Sequence, residues 1–205
     1  NLIYTRIPII LIILIILIIL IICLNKMSDI QINTNNDSLF EFIFETHKHV
    51  YLSGVGGTGK SFQLKRIFDE CNKREYTTFL TSSTGVSAFL IGGSTIHSWS
   101  GVVLPSNVDT EDKFKDIIEN RIKKIKKNRF LLERWITTKL LLIDEISMIG
   151  MNYFDLLNII AKSIRNNNLP FGGIQLVLSG DMCQLPPVKD GFIFESHAWK
   201  ELDLV

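Results

Sequence analysis

Residues 50–61 read Val-Tyr-Leu-Ser-Gly-Val-Gly-Gly-Thr-Gly-Lys-Ser, and they are the most informative segment of the chain for predicting its fold. Its first three residues form a short apolar run that is typical of a buried strand, and the glycine-rich segment follows directly. Apolar side chains then recur at a helical period at Phe62, Leu64, Ile67 and Phe68. A strand, a glycine-rich loop and a helix in this order are the setting that a phosphate-binding loop requires.

The segment Gly54–Ser61 matches the pattern Gly-x-x-x-x-Gly-Lys-Ser. Its glycines allow backbone N–H groups to surround a phosphate at the helix N-terminus. Lys60 offers a positive charge to the β- and γ-phosphates, and Ser61 offers a hydroxyl to Mg²⁺. The predicted nucleotide-binding residues are Gly54, Gly56, Gly57, Thr58, Gly59, Lys60 and Ser61.

Three more runs, at residues 77–81, 140–143 and 174–178, are typical of strands, and helical stretches lie between them. Runs without polar alternation belong to parallel strands that are buried on both faces. We therefore predict an α/β fold of three layers, with a mostly parallel sheet and helices on both faces. Residues 102–110 show no clear pattern.

Two carboxylates end the third predicted strand, in the sequence Leu140-Leu141-Leu142-Ile143-Asp144-Glu145. Ligands of open α/β sheets bind at the carboxyl ends of the strands, which is where Asp144 is expected. Asp144 is predicted to hold Mg²⁺, usually through water, and Glu145 to orient and deprotonate an attacking water. Together with the glycine loop, these carboxylates predict hydrolysis of a nucleoside triphosphate.

The fourth predicted strand runs into Gly180-Asp181-Met182-Cys183-Gln184-Leu185-Pro186-Pro187-Val188. The amide of Gln184 is placed to reach a γ-phosphate, and the two prolines make the following loop rigid. A generic P-loop enzyme that hydrolyses triphosphates does not require such a segment. The segment therefore indicates a more specific class of enzyme.

Five ordered segments resemble motifs of the petite-integration-frequency (PIF) helicases of superfamily one. They are Gly54–Ser61, Thr81–Ala88, Gly92–Ser98, Asp144–Met148 and Gly180–Val188. Flanking segments that also resemble this family are Phe171–Gln175, Phe194–Ser196 and Ala198–Lys200. The resemblance implies an ATP-dependent DNA helicase that moves 5′ to 3′ on single strands, with a RecA-like P-loop NTPase as its first motor domain.

The resemblance also implies roles for individual residues. Lys60 and Ser61 match the Walker A pair, and Gln184 matches the γ-phosphate sensor. Asp144 and Glu145 match the Walker B pair.

The implied catalytic residues are Lys60, Asp144, Glu145 and Gln184, and the implied Mg²⁺ ligands are Ser61 and Asp144. The segments that touch single-stranded DNA in this family include Thr84, Gly85, His97 and Ser98. The implied cofactors are ATP and Mg²⁺, and the implied partners of the monomer are single-stranded and forked duplex DNA.

Two departures from the family pattern bear on activity. Helicases of this kind carry a Gln upstream of the phosphate loop that reads adenine, whereas here Asn35–Ser38 occupies that region and the nearest Gln is Gln31. The sequence also stops at Val205, before the second motor domain that supplies catalytic arginines in this family. Such an arginine contributes about 10³–10⁵ in rate in other P-loop enzymes. We therefore expect the chain alone to bind nucleotide, to hydrolyse it slowly and not to unwind DNA.

A basic run lies between the second and third predicted strands. Arg121–Arg129 holds six cations in nine residues, with Ile118, Ile122 and Ile125 at helical spacing. This pattern predicts an amphipathic helix whose basic face either follows a nucleic-acid backbone or is simply solvated.

Some aromatic and histidine side chains are ambiguous in the sequence. Trp99 and Phe89 are candidates for stacking on a base, although packing in the core is the commoner role of such residues. His47 and His49 have no further metal ligands close in sequence. We therefore assign both histidines to the surface.

Charge and cysteine content limit the function further. Because Arg6 and Lys26 lie in the first 26 residues, the remainder holds 20 basic against 21 acidic residues. The chain therefore has no global positive field, and a nucleic-acid site has to be local. Cys23, Cys71 and Cys183 are far apart and odd in number, which favours a reducing compartment such as a nucleus, mitochondrion, viral factory or bacterial cytoplasm.

The first 26 residues differ from the rest. Ile7–Leu24 is apolar apart from Pro8, and as a helix it would span about 27 Å, close to the thickness of a bilayer core. The Ile-Ile-Leu repeat and the initial Asn instead favour upstream read-through before a start at Met27. We expect residues 1–26 to be such a leader, or alternatively a membrane anchor, and residues 27–205 to be the first motor domain.

Two other functions stay open at this point. A relative of the RecD or conjugative-relaxase helicases shares the Gly-Asp-x-x-Gln-Leu-Pro pattern. A nucleotide-binding module that acts through a partner, without motor activity, also fits the first two motifs. DNA-stimulated ATP hydrolysis separates the motor from the module.

Overall fold

The computed structural model describes residues 36–104, 110–187 and 190–205. Its sheet has five strands in the order β1-β5-β4-β2-β3, and every neighbouring pair is parallel. The strands are β1 (Val50–Ser53), β2 (Thr78–Ser82), β3 (Ser94–Thr95), β4 (Leu140–Asp144) and β5 (Gln175–Gly180).

Eight α-helices are described in these ranges. They are α1 (Asn36–Thr46), α2 (Lys60–Lys73), α3 (Gly85–Leu90), α4 (Ile96–Ser100), α5 (Glu111–Lys127), α6 (Arg129–Thr137), α7 (Met151–Arg165) and α8 (His197–Glu201). Short 3₁₀ turns occur at Ile146–Met148, Pro170–Gly173 and Ile193–Glu195. Among the described helices, none is both long and apolar enough to cross a bilayer.

The helices cover both faces of the sheet, as predicted, because successive strand residues point to opposite sides. Leu140 and Leu142 of β4 pack in a buried cluster with residues of α1 and α2, such as Ile43 and Leu64. Leu141 and the other alternate strand residues pack in a larger cluster with helices α4 to α8. Both layers are apolar, which explains the continuous apolar runs of β4 and β5.

The four predicted strands are confirmed to within two residues, but β3 was missed. This strand has two residues, Ser94 and Thr95, which pair with Thr81 and Ser82 at the sheet edge. A two-residue edge strand without apolar side chains leaves no periodic signal in the sequence. Its position matters because it sets the start of α4.

The predicted helix over the basic run is wrong in its extent. α5 ends at Lys127, and the side chain of Asn128 accepts a hydrogen bond from the N–H of Leu131, 3.1 Å away, as the N-cap of α6. An Asn at an N-cap satisfies a backbone donor that the new helix leaves unpaired. The basic run is therefore divided between two helices.

The assignment of His49 to the surface is also wrong. This residue is half-buried, and its Nδ1 accepts a hydrogen bond of 3.0 Å from the N–H of Leu176. Burial lowers the pKa of His49 to about 4, so the ring is neutral at physiological pH. His47 is exposed, as predicted.

Some of the sequence predictions concern residues outside the described ranges. These are the apolar residues 7–24, which include Cys23, and Gln31.

Candidate nucleotide site

The predicted residues of the nucleotide site follow four parallel strands and therefore meet at the carboxyl ends of these strands. The phosphate loop follows β1, Thr84 follows β2, Glu145 follows β4, and Gln184 follows β5. Parallel strands place all their carboxyl ends on the same side, where open α/β sheets bind ligands. Residues that are far apart in sequence are thus brought together by the topology of the sheet.

The phosphate loop is held in a conformation that requires glycine. Gly57 and Gly59 have φ angles of 81° and 86°, in the left-handed region where a side chain is strained. The ammonium group of Lys60 donates hydrogen bonds to the carbonyl oxygens of Gly54 (2.6 Å) and Val55 (3.0 Å). The lysine therefore lies across the mouth of the loop, where its charge faces an entering phosphate.

Asp144 ends β4 inside the protein, with 1% of its surface exposed. Its Oδ1 accepts a 2.6 Å hydrogen bond from the hydroxyl of Ser179 and a 3.0 Å bond from the N–H of Glu145. Its Oδ2 is buried and accepts no hydrogen bond from the described residues. A buried carboxylate oxygen without a donor is costly, so it indicates a position where a cation or its water would complete the site.

The donor set fits Mg²⁺. This ion prefers oxygen ligands and usually keeps several waters beside one or two protein ligands. Asp144 offers the unpaired Oδ2, and the hydroxyl-bearing Ser61 lines a cavity that the residue after Asp144, Glu145, also lines. These two residues would hold the metal, whose chemistry here is to neutralise charge on the phosphates.

Sequence reasoning missed Ser179. It is a fully buried hydroxyl on β5, and nothing in the sequence assigns it a partner. Its bond to Asp144 crosses the β4–β5 pair, so the register of the sheet is needed to find it. The single detectable signal was a polar residue directly after the apolar run Leu176-Val177-Leu178.

Glu145 has an unusual backbone, with φ 54° and ψ 45°. The left-handed region is uncommon for a residue with a side chain, and such strain concentrates at functional sites. Burial, followed by the neighbouring Asp144 carboxylate, raises the pKa of Glu145 above its usual value. The positive charge of Lys60 acts in the opposite direction and lowers the same pKa.

Gln184 lies over the phosphate loop. Its Nε2 donates a 3.2 Å hydrogen bond to Oδ2 of Asp181, and a Cβ atom added to Gly56 would lie 3.3 Å from the same nitrogen. The backbone N–H of Gln184 also bonds the carbonyl oxygen of Asp181 at 3.0 Å, which fixes the turn. Gly56 and Gln184 are thus neighbours, as a sensor of a bound phosphate requires.

An open cavity of about 600 Å³ lies beside the loop. Ser61, Glu145 and Gln184 line it, together with Thr84, which the sequence assigned to DNA contact. The side chain of Thr84 caps α3 by accepting a 3.1 Å hydrogen bond from the N–H of Ser87. Gly85 follows as the first, exposed residue of that helix.

The other two predicted DNA-contact residues do not line this cavity. His97 and Ser98 are exposed on α4, which begins after β3. The His97 ring stacks on Tyr153 with centroids 4.5 Å apart, and partial burial lowers the pKa of His97. The imidazole is therefore held in a fixed orientation at the protein surface.

The two candidate stacking residues differ in exposure. Trp99 is 1% exposed and packs on Trp135 with centroids 4.6 Å apart, so it belongs to the core and is not available to a base. Phe89 is 85% exposed on α3 and stays a candidate.

Replacing Ser179 by alanine is expected to weaken Mg²⁺ binding about tenfold, because residues that orient a metal ligand typically contribute 10–100-fold in affinity. The measurement is a Mg²⁺ titration of the protein with a non-hydrolysable ATP analogue, read by calorimetry. Ser163→Ala, on the exposed side of α7, is the control. Equal Mg²⁺ affinities of the two variants would show that Ser179 does not position Asp144.

Comparison with known proteins identifies relatives of the chain. The family model described as PIF1-like helicase matches residues 31–204. The ATP-dependent DNA helicase RRM3 of Saccharomyces cerevisiae is 40% identical over 182 residues, which are 84% of this chain and 24% of that protein. The ATP-dependent DNA helicase PIF1 of Danio rerio is 42% identical over 159 residues, which are 75% of this chain and 23% of that protein. The chain thus spans about a quarter of the length of these relatives.

Solved structures give the same result. The crystal structure of the Pif1 helicase from Candida albicans is 39% identical, with a TM-score of 0.72 over 86% of this chain and 40% of that one. The Bacteroides Pif1 structure in complex with ADP-AlF4 is 26% identical, with a TM-score of 0.63 over 86% of this chain and 42% of that one. The α/β fold is therefore the RecA-like fold of these helicases, and the chain belongs to the PIF1-like helicase family.

Proposed function

We propose that this chain carries the first motor domain of an ATP-dependent DNA helicase, which couples ATP hydrolysis to 5′-to-3′ movement on single-stranded DNA and to duplex unwinding. The observation that carries the proposal is that Lys60, Glu145 and Gln184 lie together with the buried Asp144 at the carboxyl ends of the strands. The family supports it, because the named relatives are ATP-dependent DNA helicases.

Each residue has a distinct task in hydrolysis. The loop N–H groups and Lys60 bind the phosphates, and Gln184 donates its amide N–H to the γ-phosphate region. Glu145 accepts a proton from the attacking water and orients it. Ser61 and Asp144 would hold Mg²⁺, which would supply positive charge against the phosphate oxygens.

Thr84 supports a coupling between nucleotide and DNA. It lines the nucleotide cavity and also caps α3, whose first residue, Gly85, is in a segment assigned to DNA contact. A change in the cavity that moves Thr84 would therefore move the start of α3. His97 and Ser98 on α4 extend the same DNA surface.

The partners follow from this function. One neighbouring structure shows DNA unwinding at forked double-stranded DNA by two coordinating Pif1 helicases, and another is Bacteroides Pif1 bound to single-stranded DNA. For this protein we propose ATP with Mg²⁺ as cofactors, single-stranded and forked DNA as partners, and a monomer as the basic unit. Cys71 and Cys183 are free thiols, which supports a reducing compartment.

The test is ATP hydrolysis by the full-length gene product, measured with and without single-stranded DNA. Single-stranded DNA is expected to raise the rate at least about tenfold, because closure on the DNA completes the catalytic site. A fork with a 5′ tail should be unwound, whereas one with a 3′ tail should not.

Two results would contradict this function. Hydrolysis that does not respond to DNA would favour the nucleotide-binding module that acts through a partner. Unwinding that requires a 3′ tail would retain the motor but reverse its direction.

A further inference from the structure

The start of α6 lies against α4, next to the exposed Ser98. The guanidinium of Arg134 donates hydrogen bonds to the carbonyl oxygens of Ser98 (3.1 Å) and Trp99 (2.8 Å). Leu131 packs so closely on Gly101 that a Cβ atom at this glycine would clash with the leucine side chain. The first turn of α6 is therefore fixed beside the surface already assigned to DNA.

That turn presents an exposed aromatic ring. Phe130 is 81% exposed, although burying a phenylalanine is normally favourable. It precedes Arg134 by four residues and so shares a face of α6 with it. The ring is thus exposed on the side of α6 that carries Arg134, beside the residues that contact α4.

Several exposed basic side chains precede Phe130 in the sequence and could bind an anion. Lys123 pairs with Glu119 at 3.5 Å. By contrast, none of the described carboxylates pairs with the exposed cations of the same run, which are Lys124, Lys126, Lys127 and Arg129. Their charge is concentrated at the junction between α5 and α6, in a chain whose overall charge is close to zero.

A single-stranded nucleic acid fits this surface better than a protein does. Lysine is depleted in protein–protein interfaces, whereas an aromatic platform flanked by cations is the usual combination for single strands. A base stacks on the ring while the backbone phosphates meet the cations.

We infer that Phe130, with Lys126, Lys127 and Arg129, forms a further binding site for single-stranded DNA, which continues the path from His97 and Ser98 on α4. One base stacks on the Phe130 ring, and the adjacent phosphates lie against the cations. This inference rests on the proposed function, because it extends the same DNA path.

The test measures binding of a fluorescent oligo(dT) to the full-length gene product by anisotropy. Phe130→Ala is expected to weaken binding at least about fivefold, because the stacking of one base is lost. Phe130→Trp should retain the affinity, and the emission of its indole should be quenched by the oligonucleotide. Ile136→Ala, which removes another exposed apolar side chain from α6, is the matched control.

The charges are tested separately through the salt dependence. The double variant Lys126→Gln with Lys127→Gln should lower the slope of log affinity against log salt by about 1.4, at about 0.7 for each phosphate that a lysine no longer neutralises. The double variant Lys48→Gln with Lys73→Gln removes the same charge from exposed positions elsewhere and should leave the slope unchanged.

The outcomes distinguish the two hypotheses. If the unmodified protein binds oligo(dT) but Phe130→Ala binds as tightly as Ile136→Ala, the site at Phe130 is wrong and the helicase function stands. If the unmodified protein does not bind oligo(dT), the proposed function fails, and this site fails with it. Equal salt slopes for both double variants would remove the lysines from the site.

Discussion

Replacing Lys60 by alanine is expected to lower ATP hydrolysis by a factor of about 10²–10³, because the variant loses a fixed positive charge at the phosphates in the transition state. The lysine is already oriented before nucleotide binds, since its ammonium group bonds the carbonyl oxygens of Gly54 and Val55 within the same loop. No large reorganisation is then required when charge develops on the γ-phosphate. The measurement is the DNA-stimulated rate of phosphate release at saturating ATP.

The matched control for Lys60→Ala is Lys73→Ala. Lys73 lies at the other end of the same helix, α2, where its side chain is 74% exposed and pairs with Glu70. A surface pair of this kind contributes little to stability, so the control should hydrolyse ATP at the unmodified rate. DNA-stimulated hydrolysis that survives Lys60→Ala would exclude this loop as the motor's nucleotide site.

Replacing Glu145 by glutamine is expected to lower hydrolysis by a factor of about 10²–10⁴, the usual contribution of a general base. Glutamine keeps the size of the side chain but does not accept the proton of the attacking water. Nucleotide binding should be retained, because the phosphate loop and Lys60 are unchanged. The measurement combines the rate of hydrolysis with the affinity for a fluorescent ATP analogue.

The pH dependence supplies a second readout for Glu145. Its pKa is raised, first by burial and then by Asp144, and a base acts only when it is deprotonated. The rate should therefore fall as pH decreases through this raised pKa, and the fall should begin at a higher pH than for an ordinary glutamate. Glu145→Gln should lose this acidic limb.

Glu133→Gln is the control, because Glu133 is exposed on α6. It should keep both the rate and the pH profile of the unmodified protein. If Glu145→Gln hydrolyses ATP at the unmodified rate, another group activates the water, and the acidic limb would belong to that group.

The phosphate loop and the class of fold could be predicted from the sequence. Gly54–Ser61 is a local structure whose backbone conformation is set by its own glycines, so its identity does not depend on the rest of the chain. The apolar runs of β4 and β5 predict buried parallel strands for a similar reason, since each residue type reports the surroundings of its own position. The assignments of Asp144 and Glu145 followed because strand ends are recognisable in such runs.

Contacts between residues that are distant in the chain could be assigned only from the tertiary structure. The bond from Ser179 to Asp144 depends on the register of β4 against β5, and the position of Gln184 over Gly56 depends on β1 pairing with β5. The placement of α6 against α4, through Arg134 and Leu131, likewise depends on how these helices pack. Sequence patterns indicate whether a side chain is buried, but not which residue it contacts. Contacts between distant residues depend on how all the strands and helices pack together.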